Sequence, residues 1–316
     1  MTLALSSKND LPVTRVYDLV MTHTLDADDL FIHRVQYHAA RLRLNFFLID
    51  PQWVDLFREK MERGEVWARV LLNMNSEHHN AQDPYSRLVR LAADRKTQVI
   101  DHPETALASF DKARLHPRLV DSGIQVPFTR IVPNAEAKVF RLTDEDRIAL
   151  GSPFVIKPSL GYGRRGVNME ATSESDLAKC ATDWPGNDYL LQKRLVPKTI
   201  GNWPAYFRVY YAFGSVWCNW WNCYTDHSRP VTSEEFTTLS LQPLEELVRR
   251  LASLSGMRFF STEIMQTPND EFVSIDYVND QCHMLSQSAN SQIGVPDSVV
   301  EAIAQRLVEG AAELAR

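Results

Sequence analysis

Cysteine is scarce in this sequence and never closely paired. The four present, Cys180, Cys218, Cys223 and Cys282, form no CxxC pair, and the one close spacing, Cys218 to Cys223, lacks a second ligand pair, so neither a disulfide scaffold nor a zinc module is expected. No window approaches 18 uncharged apolar residues, which excludes a membrane-spanning helix of ordinary length. The opening MTLALSSKNDLPVTR lacks the basic region and apolar stretch of an export signal. We therefore expect reduced thiols, a cytoplasmic location and no membrane partner. Positive charge is not in surplus either: 34 Lys and Arg stand against 40 Asp and Glu, a net charge of -6, so no nucleic-acid partner is expected. Repeats and low-complexity tracts are absent. What is present is ordinary globular usage, 44% hydrophobic and 23% charged, which rules out a disordered chain. A length of 316 residues suggests about two domains.

The first hundred residues alternate strand-like and amphipathic helical runs. VYDLVMTHT (Val16 to Thr24) precedes the helical DDLFIHRVQYHAARLRL, then come NFFLID, the helical PQWVDLFREKMERG, VWARVLLNM, a helix from Pro84 to about Arg95, and TQVID. This β-α-β-α-β order predicts a parallel sheet whose ligands sit at the strands' carboxyl ends. The loop Asn75 to Asp83 follows such an end, and His78 and His79 within it lack the spacing of a helical zinc site. After His102-Pro103 the texture changes. ETALASFDKARLHPRLVDSGI reads as one helical stretch, followed by VPFTRIV, a polar helix near Leu142 to Leu150, and a hairpin of PFVIK and GVNMEA across a glycine-rich turn. SESDLAKC opens with a capping box, Ser173 with Asp176. YLLQKRLV is a strand, YFRVYYAF and VWCNWWNCY form a hairpin, and EEFTTLSLQPLEELVRRLASLSG is helical in its second half. RFFSTEIMQ and EFVSIDYV are two more strands about the turn TPND, and a helix closes the chain.

The sharpest local signal is Gly161-Tyr-Gly163-Arg-Arg-Gly166, a GxGxxG whose meaning depends on context. A dinucleotide site needs a helix at the last glycine, but GVNMEA is strand-like. A protein kinase needs a lysine in the following strand and HRD and DFG motifs, which the sequence lacks. Here Lys157 precedes the loop, so an ammonium and a row of close-approaching backbone amides converge on one side of the turn, with Arg164 or Arg165 as further charge. About a hundred residues on, two strands carry Glu263 and Asp276, and Asn279 follows. Simple alternation sends Val273 and Ile275 to one face and Ser274 and Asp276 to the other. Two carboxylates and an amide oxygen suit Mg²⁺ bridging phosphates. Without metal, crowded carboxylates repel, so alanine at Glu263 or Asp276 is expected to leave stability unchanged or raise it.

With these pieces in this order, the sequence resembles the ATP-grasp superfamily, nearest in texture to its glutamate-ligase and glutathione-synthetase branch. The resemblance covers residues 1 to 316 in outline and is specific from Phe110 to Met284, through FDKARLHPRLVDSGIQVPFT, FVIKPSLGYGRRGV, YLLQKRL, YFRVYYAFGSVW, TEIM and SIDYVND. It implies an α/β fold, α+β in the C-terminal half, with a parallel-sheet domain over 1–103, a central glycine-lid subdomain over 104–188 and a metal-bearing subdomain over 189–316. It implies Lys112 and Lys157 as phosphate-binding lysines, Gly161, Gly163 and Gly166 in the flexible loop, and Gln192 with Lys193 to Leu195 at the adenine. Arg208 is implied at the γ-phosphate, as catalytic residue with Lys157, and Glu263, Asp276 and Asn279 as Mg²⁺ ligands, with Mn²⁺ admissible. Many relatives carry an acid two places before the arginine, where this chain has Tyr206. Their acid and asparagine stand two apart, whereas Asp276 and Asn279 stand three apart, which leaves Asp280 as an alternative.

The activity implied is ATP-dependent ligation of a carboxylate to an amine through an acyl phosphate, on small-molecule or peptide substrates, in a chain compatible with homo-oligomerisation. A small-molecule kinase and a non-catalytic nucleotide-binding regulator are the alternatives. Phe207 and Val209 should point away from Arg208. The tryptophans of WCNWWNCY read as core, and His227 and Arg229 as a solvated loop with a minor claim on an anionic substrate.

Overall fold

The computed structural model describes residues 15–23, 29–75, 78–161 and 163–316. Parts of four sequence expectations lie outside the described residues: the opening MTLALSSKNDLPVT, Thr24 to Asp28 at the end of the first strand and start of the first helix, Ser76 and Glu77 of the polar loop, and Tyr162 of the glycine turn. The chain forms two compact units, one of residues 1–103, 283–285 and 300–316, the other of residues 104–282 and 286–299. Among the described residues no helix is long and apolar enough to cross a membrane.

The first unit holds a four-stranded, all-parallel sheet, in the order Phe46–Ile49, Arg15–Thr22, Val66–Asn73, Gln98–Ile100. The expected strands thus pair as a parallel sheet. Helices Val54–Glu62 and Pro84–Asp94 cover one face, packing Phe57, Met61, Leu88 and Val89 on Tyr17, Val20, Ala68 and Leu71. The intervening residues Leu19 and Met21 are fully buried as well, so these strands read as continuous apolar runs. Asp83 caps the helix at Pro84 by accepting from Ser86 N. His78, read as a loop histidine, is buried.

The second unit contains two antiparallel sheets. One orders Thr129–Val132, Tyr189–Lys193, Phe154–Pro158 and Asn168–Ala171, so the strands flanking the glycine turn do form a hairpin. Asp176 accepts from the backbone N–H groups of Thr172 and Ser173 at the start of the helix Glu174–Asp183, which places the capping box where expected. The other sheet orders Ser228–Pro230, Ser215–Trp221, Tyr206–Ala212, Phe259–Gln266 and Phe272–Asn279. The amphipathic helix Gln242–Ser255 buries Leu244, Leu247, Val248 and Leu251 against Phe207, Val209, Phe260 and Ile264 of this sheet.

Several boundaries differ from expectation. The stretch from Glu104 is two helices, Pro103–Phe110 and Lys112–Asp121, because Asp111 adopts extended backbone and caps the second through Arg114 N. The strand in VPFTRIV is confined to Thr129–Val132, since Pro127 offers no N–H to a ladder. A short helix, Ser233–Thr238, also forms ahead of the expected one, closed by a reciprocal Thr232 and Glu235 capping box.

Candidate functional site

In the five-stranded sheet, alternation separates two faces. Phe207, Val209, Phe260 and Ile264 meet the helix-packed core, so Tyr206, Arg208, Ser261, Glu263 and Met265 point the other way. Cross-strand pairing sets Arg208 beside Glu263 and Tyr206 beside Met265. Arg208 donates to Glu263 Oε1 at 2.6 Å, Tyr206 OH donates to Glu263 Oε2 at 3.0 Å, and the Arg208 guanidinium lies 4.1 Å from the centre of the Trp221 ring. Burial opposes the charge on Arg208, yet Glu263 and its other neighbours outweigh that effect and hold its pKa above the ordinary value. Burial pushes the Tyr206 phenol well up, with Glu263 adding to it, so Tyr206 stays neutral and serves as a donor. The tyrosine standing where relatives have an acid thus binds a carboxylate rather than replacing one.

The final strand departs from simple alternation. Glu263 pairs with Asp276, but Ile264 pairs with Ser274, so Ile275 is the extra residue of a β-bulge. Ser274 therefore turns to the helix-packed face, where its hydroxyl lies 3.5 Å from that of Thr262, whereas Asp276 shares the face of Glu263. The expectation that Ser274 and Asp276 share a face is corrected accordingly, and Ile275 packs near Tyr206, Trp221 and Met265 instead. A second irregularity sets Asn279 opposite Ser261. Ser261 and Glu263 lie two apart on one strand, so Glu263, Asp276 and Asn279 come to a single face despite the three-residue spacing. Asp280 follows the end of the strand.

Two ammonium groups approach these acids. Lys112 is the first residue of its helix, held there by Ser159, whose carbonyl accepts from Lys112 N at 3.1 Å and whose hydroxyl accepts from Ala113 N at 3.0 Å. Lys112 Nζ donates to the Gly161 carbonyl at 2.9 Å and lies 3.6 Å from Asp276 Oδ1. Lys157, at the end of its strand, donates from Nζ to the Ile275 carbonyl at 3.0 Å. Burial pushes the Lys157 ammonium down, Asp276 and Glu263 pull it back up, and Lys112 adds to the lowering. Among the described residues Asp276 Oδ1 is sealed from solvent without a hydrogen bond, as is Arg208 Nε. An under-satisfied carboxylate among lysines and a further acid is the donor chemistry of a hard cation with phosphate. Among the described residues no three His, Cys, Asp or Glu gather, so a protein-only cage is absent, and two carboxylates with one amide fit Mg²⁺, which keeps waters and phosphate oxygens.

The glycine turn adopts backbone that side chains resist. Gly163 and Gly166 have φ of 59° and 71°, and a Cβ on Gly166 would come within 3.0 Å of Trp184 Cγ and 3.1 Å of Pro158 Cγ. Arg164 reaches from this turn to Asp226 Oδ1 at 2.8 Å and the Cys223 carbonyl at 3.2 Å, so its charge is engaged by the turn beyond Trp221.

The expected adenine segment lies on the strand Tyr189–Lys193 and just past it. Gln192 is buried, and its Nε2 donates to Thr129 Oγ1 at 3.0 Å and Tyr277 OH at 2.7 Å. Lys193 is exposed, with its N–H donating to the Phe128 carbonyl at 2.8 Å. Leu195 packs against Tyr206, Trp221 and Met265, beside Ile275 and Cys223. Sequence reasoning missed Thr129, Tyr277, His116 and Trp221, whose roles depend on pairing over long separations. It also missed Asn219, a fully buried amide beside Arg208 that has no hydrogen-bond partner among the described residues. Arg229 is engaged on the other face: it pairs with both oxygens of Glu235 and lies about 5 Å from the rings of Trp203 and Trp220 on the helix-packed side, holding the Glu235 pKa down to about 2.

Solved structures with this architecture decide what the fold is. A RimK-domain ATP-grasp protein from Sphaerobacter thermophilus DSM 20745 matches at a TM-score of 0.63 and 18% identity, covering 92% of this chain and 98% of that one. The D-alanine–D-alanine ligase of Bacillus anthracis, solved with ATP, matches at 0.62 and 12% identity, over 95% and 99%. The fold is the ATP-grasp fold. The ATP-grasp ligase PsnB, solved with a minimal precursor, Mg and ADP, matches at 0.59 and 13% identity, over 94% and 98%. No family model matches the sequence, and no curated protein matches it either. These identities fix the ATP-grasp architecture, while the chemistry of this chain rests on its own residues.

Proposed function

We propose that this chain is an ATP-dependent ligase that joins a carboxylate to an amine through an acyl phosphate, releasing ADP and phosphate. The observation that carries the reading is the approach of Lys112 and Lys157 to the strand of Asp276 and Asn279, whose face also carries Arg208 and Glu263, next to a glycine hairpin. In this reading residues 1–103 form a preceding domain, 104–188 carry the lid and 189–316 the metal-binding strands. Glu263, Asp276 and Asn279 hold Mg²⁺, which supplies charge neutralisation to the phosphates and a template for in-line transfer. Lys112 and Lys157 take phosphate oxygens, having only a carbonyl or a lone carboxylate to exchange for them. Arg208, prepositioned by Glu263 and Trp221, faces the transferring phosphoryl group and stabilises its developing charge. The glycine hairpin excludes water from the acyl phosphate, and Leu195, Met265 and Ile275 flank the adenine. Catalysis requires no side-chain nucleophile; it rests on positioning and charge.

The test uses the purified chain with MgATP and a panel of carboxylates, including short peptides, with and without an amine. We expect ADP and free phosphate together only when both substrates are present, and hydroxylamine in place of the amine to trap a hydroxamate. Lys157→Ala should weaken binding of a non-hydrolysable ATP analogue about ten- to a hundredfold, as expected for loss of a charge-assisted contact. A stable phosphate ester with no free phosphate would show a kinase, and no turnover with any pair would show a binding protein.

A further inference from the structure

Asparagine and glutamine amides offer two donors at one end and an acceptor at the other, and what surrounds them decides which end faces a ligand. Gln192 has its orientation set by its neighbours. The Thr129 hydroxyl donates its only proton to the Pro127 carbonyl at 2.9 Å, and a carbonyl can only accept. Thr129 Oγ1 therefore accepts from Gln192, 3.0 Å away, and the end of Gln192 facing it is the NH₂. The same NH₂ meets Tyr277 OH at 2.7 Å, so the phenol oxygen accepts and its proton turns to His116 Nδ1, 2.6 Å away. His116 is then the neutral tautomer protonated on Nε2. Its burial agrees, pushing the imidazole pKa down to about 4. In this arrangement every proton from Pro127 to His116 has a place. Among the described residues Gln192 Oε1 accepts no hydrogen bond and is not sealed from solvent.

We infer that Thr129, Tyr277 and His116 are positioning residues that lock Gln192 with its carbonyl oxygen toward the nucleotide, selecting a 6-amino purine over a 6-oxo purine. The inference rests on the proposed reading that Gln192 to Leu195 line the base. An unengaged acceptor there pairs with the amino group of adenine and opposes the carbonyl of guanine, so discrimination has both an attractive and a repulsive part. If Gln192 were free to turn over, it would present NH₂ to guanine instead, and the preference would shrink. The relay spans three elements, since His116 lies on the helix that begins at Lys112 and Tyr277 lies between Asp276 and Asn279.

The experiment measures dissociation constants of the full chain, with Mg²⁺, for the non-hydrolysable imidodiphosphate analogues of ATP and GTP by calorimetry. We expect the wild type to favour the adenine analogue by about a hundredfold or more, and Tyr277→Phe and Thr129→Val each to shrink that ratio by about tenfold. Guanine binding should strengthen while adenine binding weakens. Thr129→Ser, which keeps the hydroxyl, should restore the wild-type ratio. A merely structural role would weaken both nucleotides together and leave the ratio alone. Should Tyr277→Phe not fold, the Thr129 pair decides by itself. A wild type that prefers adenine, with variants that keep its ratio within about twofold, overturns the inference and leaves the proposed function standing. A wild type that binds neither analogue removes the proposed function and this inference with it.

Discussion

Alanine at Glu263 and alanine at Asp276 should have opposite consequences for stability, although charge repulsion alone treats the two acids alike. Both oxygens of Glu263 are in use, one by Arg208 at 2.6 Å and one by Tyr206 OH at 3.0 Å, and its side chain is only 12% exposed. Glu263→Ala strands a guanidinium whose Nε already lacks a partner and a buried phenol. A charge-assisted hydrogen bond contributes about 1.5–3 kcal/mol and a neutral one about 1 kcal/mol. Arg208 is 28% exposed and keeps its contact with Trp221, so water recovers part of the loss, and we expect a net cost of about 2 kcal/mol. Among the described residues Asp276 Oδ1 is sealed without a hydrogen bond, and its gain from Lys112 at 3.6 Å and from the charge of Lys157 is set against that burial, so Asp276→Ala should change stability by about 0.5 kcal/mol or less. In scanning fluorimetry without nucleotide and with a chelator present, the first variant should melt roughly 4–8 °C below wild type and the second within about 2 °C of it. Equal losses in both variants, or no loss at Glu263, would show that the Arg208–Glu263–Tyr206 cluster does not bear on the unliganded fold.

Two further outcomes follow from other parts of the second unit. Gly166→Ala should cost about 2 kcal/mol, from left-handed backbone and a Cβ crowded by Trp184 and Pro158, whereas Gly163→Ala, with nothing within 4 Å of its Cβ, should cost about half that. Equal melting temperatures for the two variants would refute the steric part. His116, with a folded pKa of about 4 against 6.5, refuses a proton that the unfolded chain accepts, so stability is complete above pH 6.5 and is lost as pH falls toward 4. The loss is at most about 3 kcal/mol, at about 1.4 kcal/mol per pH unit. Urea midpoints of wild type and His116→Phe across pH 4–7 should diverge in slope, and parallel curves would contradict the assignment.

Much of the architecture was legible because it is written locally. Period-two runs such as YFRVYYAF give the strands, and within that run the expected separation of Arg208 from Phe207 and Val209 is what the two faces show. The glycine hairpin likewise followed from strand-like residues on both sides of Gly161 to Gly166. What was not legible depends on pairing. Alternation assumes that every residue of a strand has one partner, and Ile275 has none. That single insertion carries Asp276 to the face of Glu263 and sends Ser274 to the core, and no propensity in SIDYVND announces it. Arg229, read as part of a solvated loop, lies instead on a strand and pairs with Glu235, which sits in a short helix that its own sequence barely signals.

The spacing of Asp276 and Asn279 shows how sequence distance and spatial distance part company. Counted along the chain, three residues place an acid and an amide on opposite faces of a regular strand. Counted along the partner strand, the same pair spans Glu263 to Ser261, only two residues and one face. The irregularity lets residues of the strand Phe272–Asn279 be read against a straight neighbour, and the interval it accommodates contains Tyr277, whose side chain turns to the helix-packed core and reaches Gln192 and His116. One strand thus carries Asp276 and Asn279 on one face, where the proposed function puts the phosphates, and reaches Gln192 through Tyr277 on the other. The extra residue that made the motif look irregular in sequence is what puts Asp276 and Asn279 on one face while Tyr277 turns to the other.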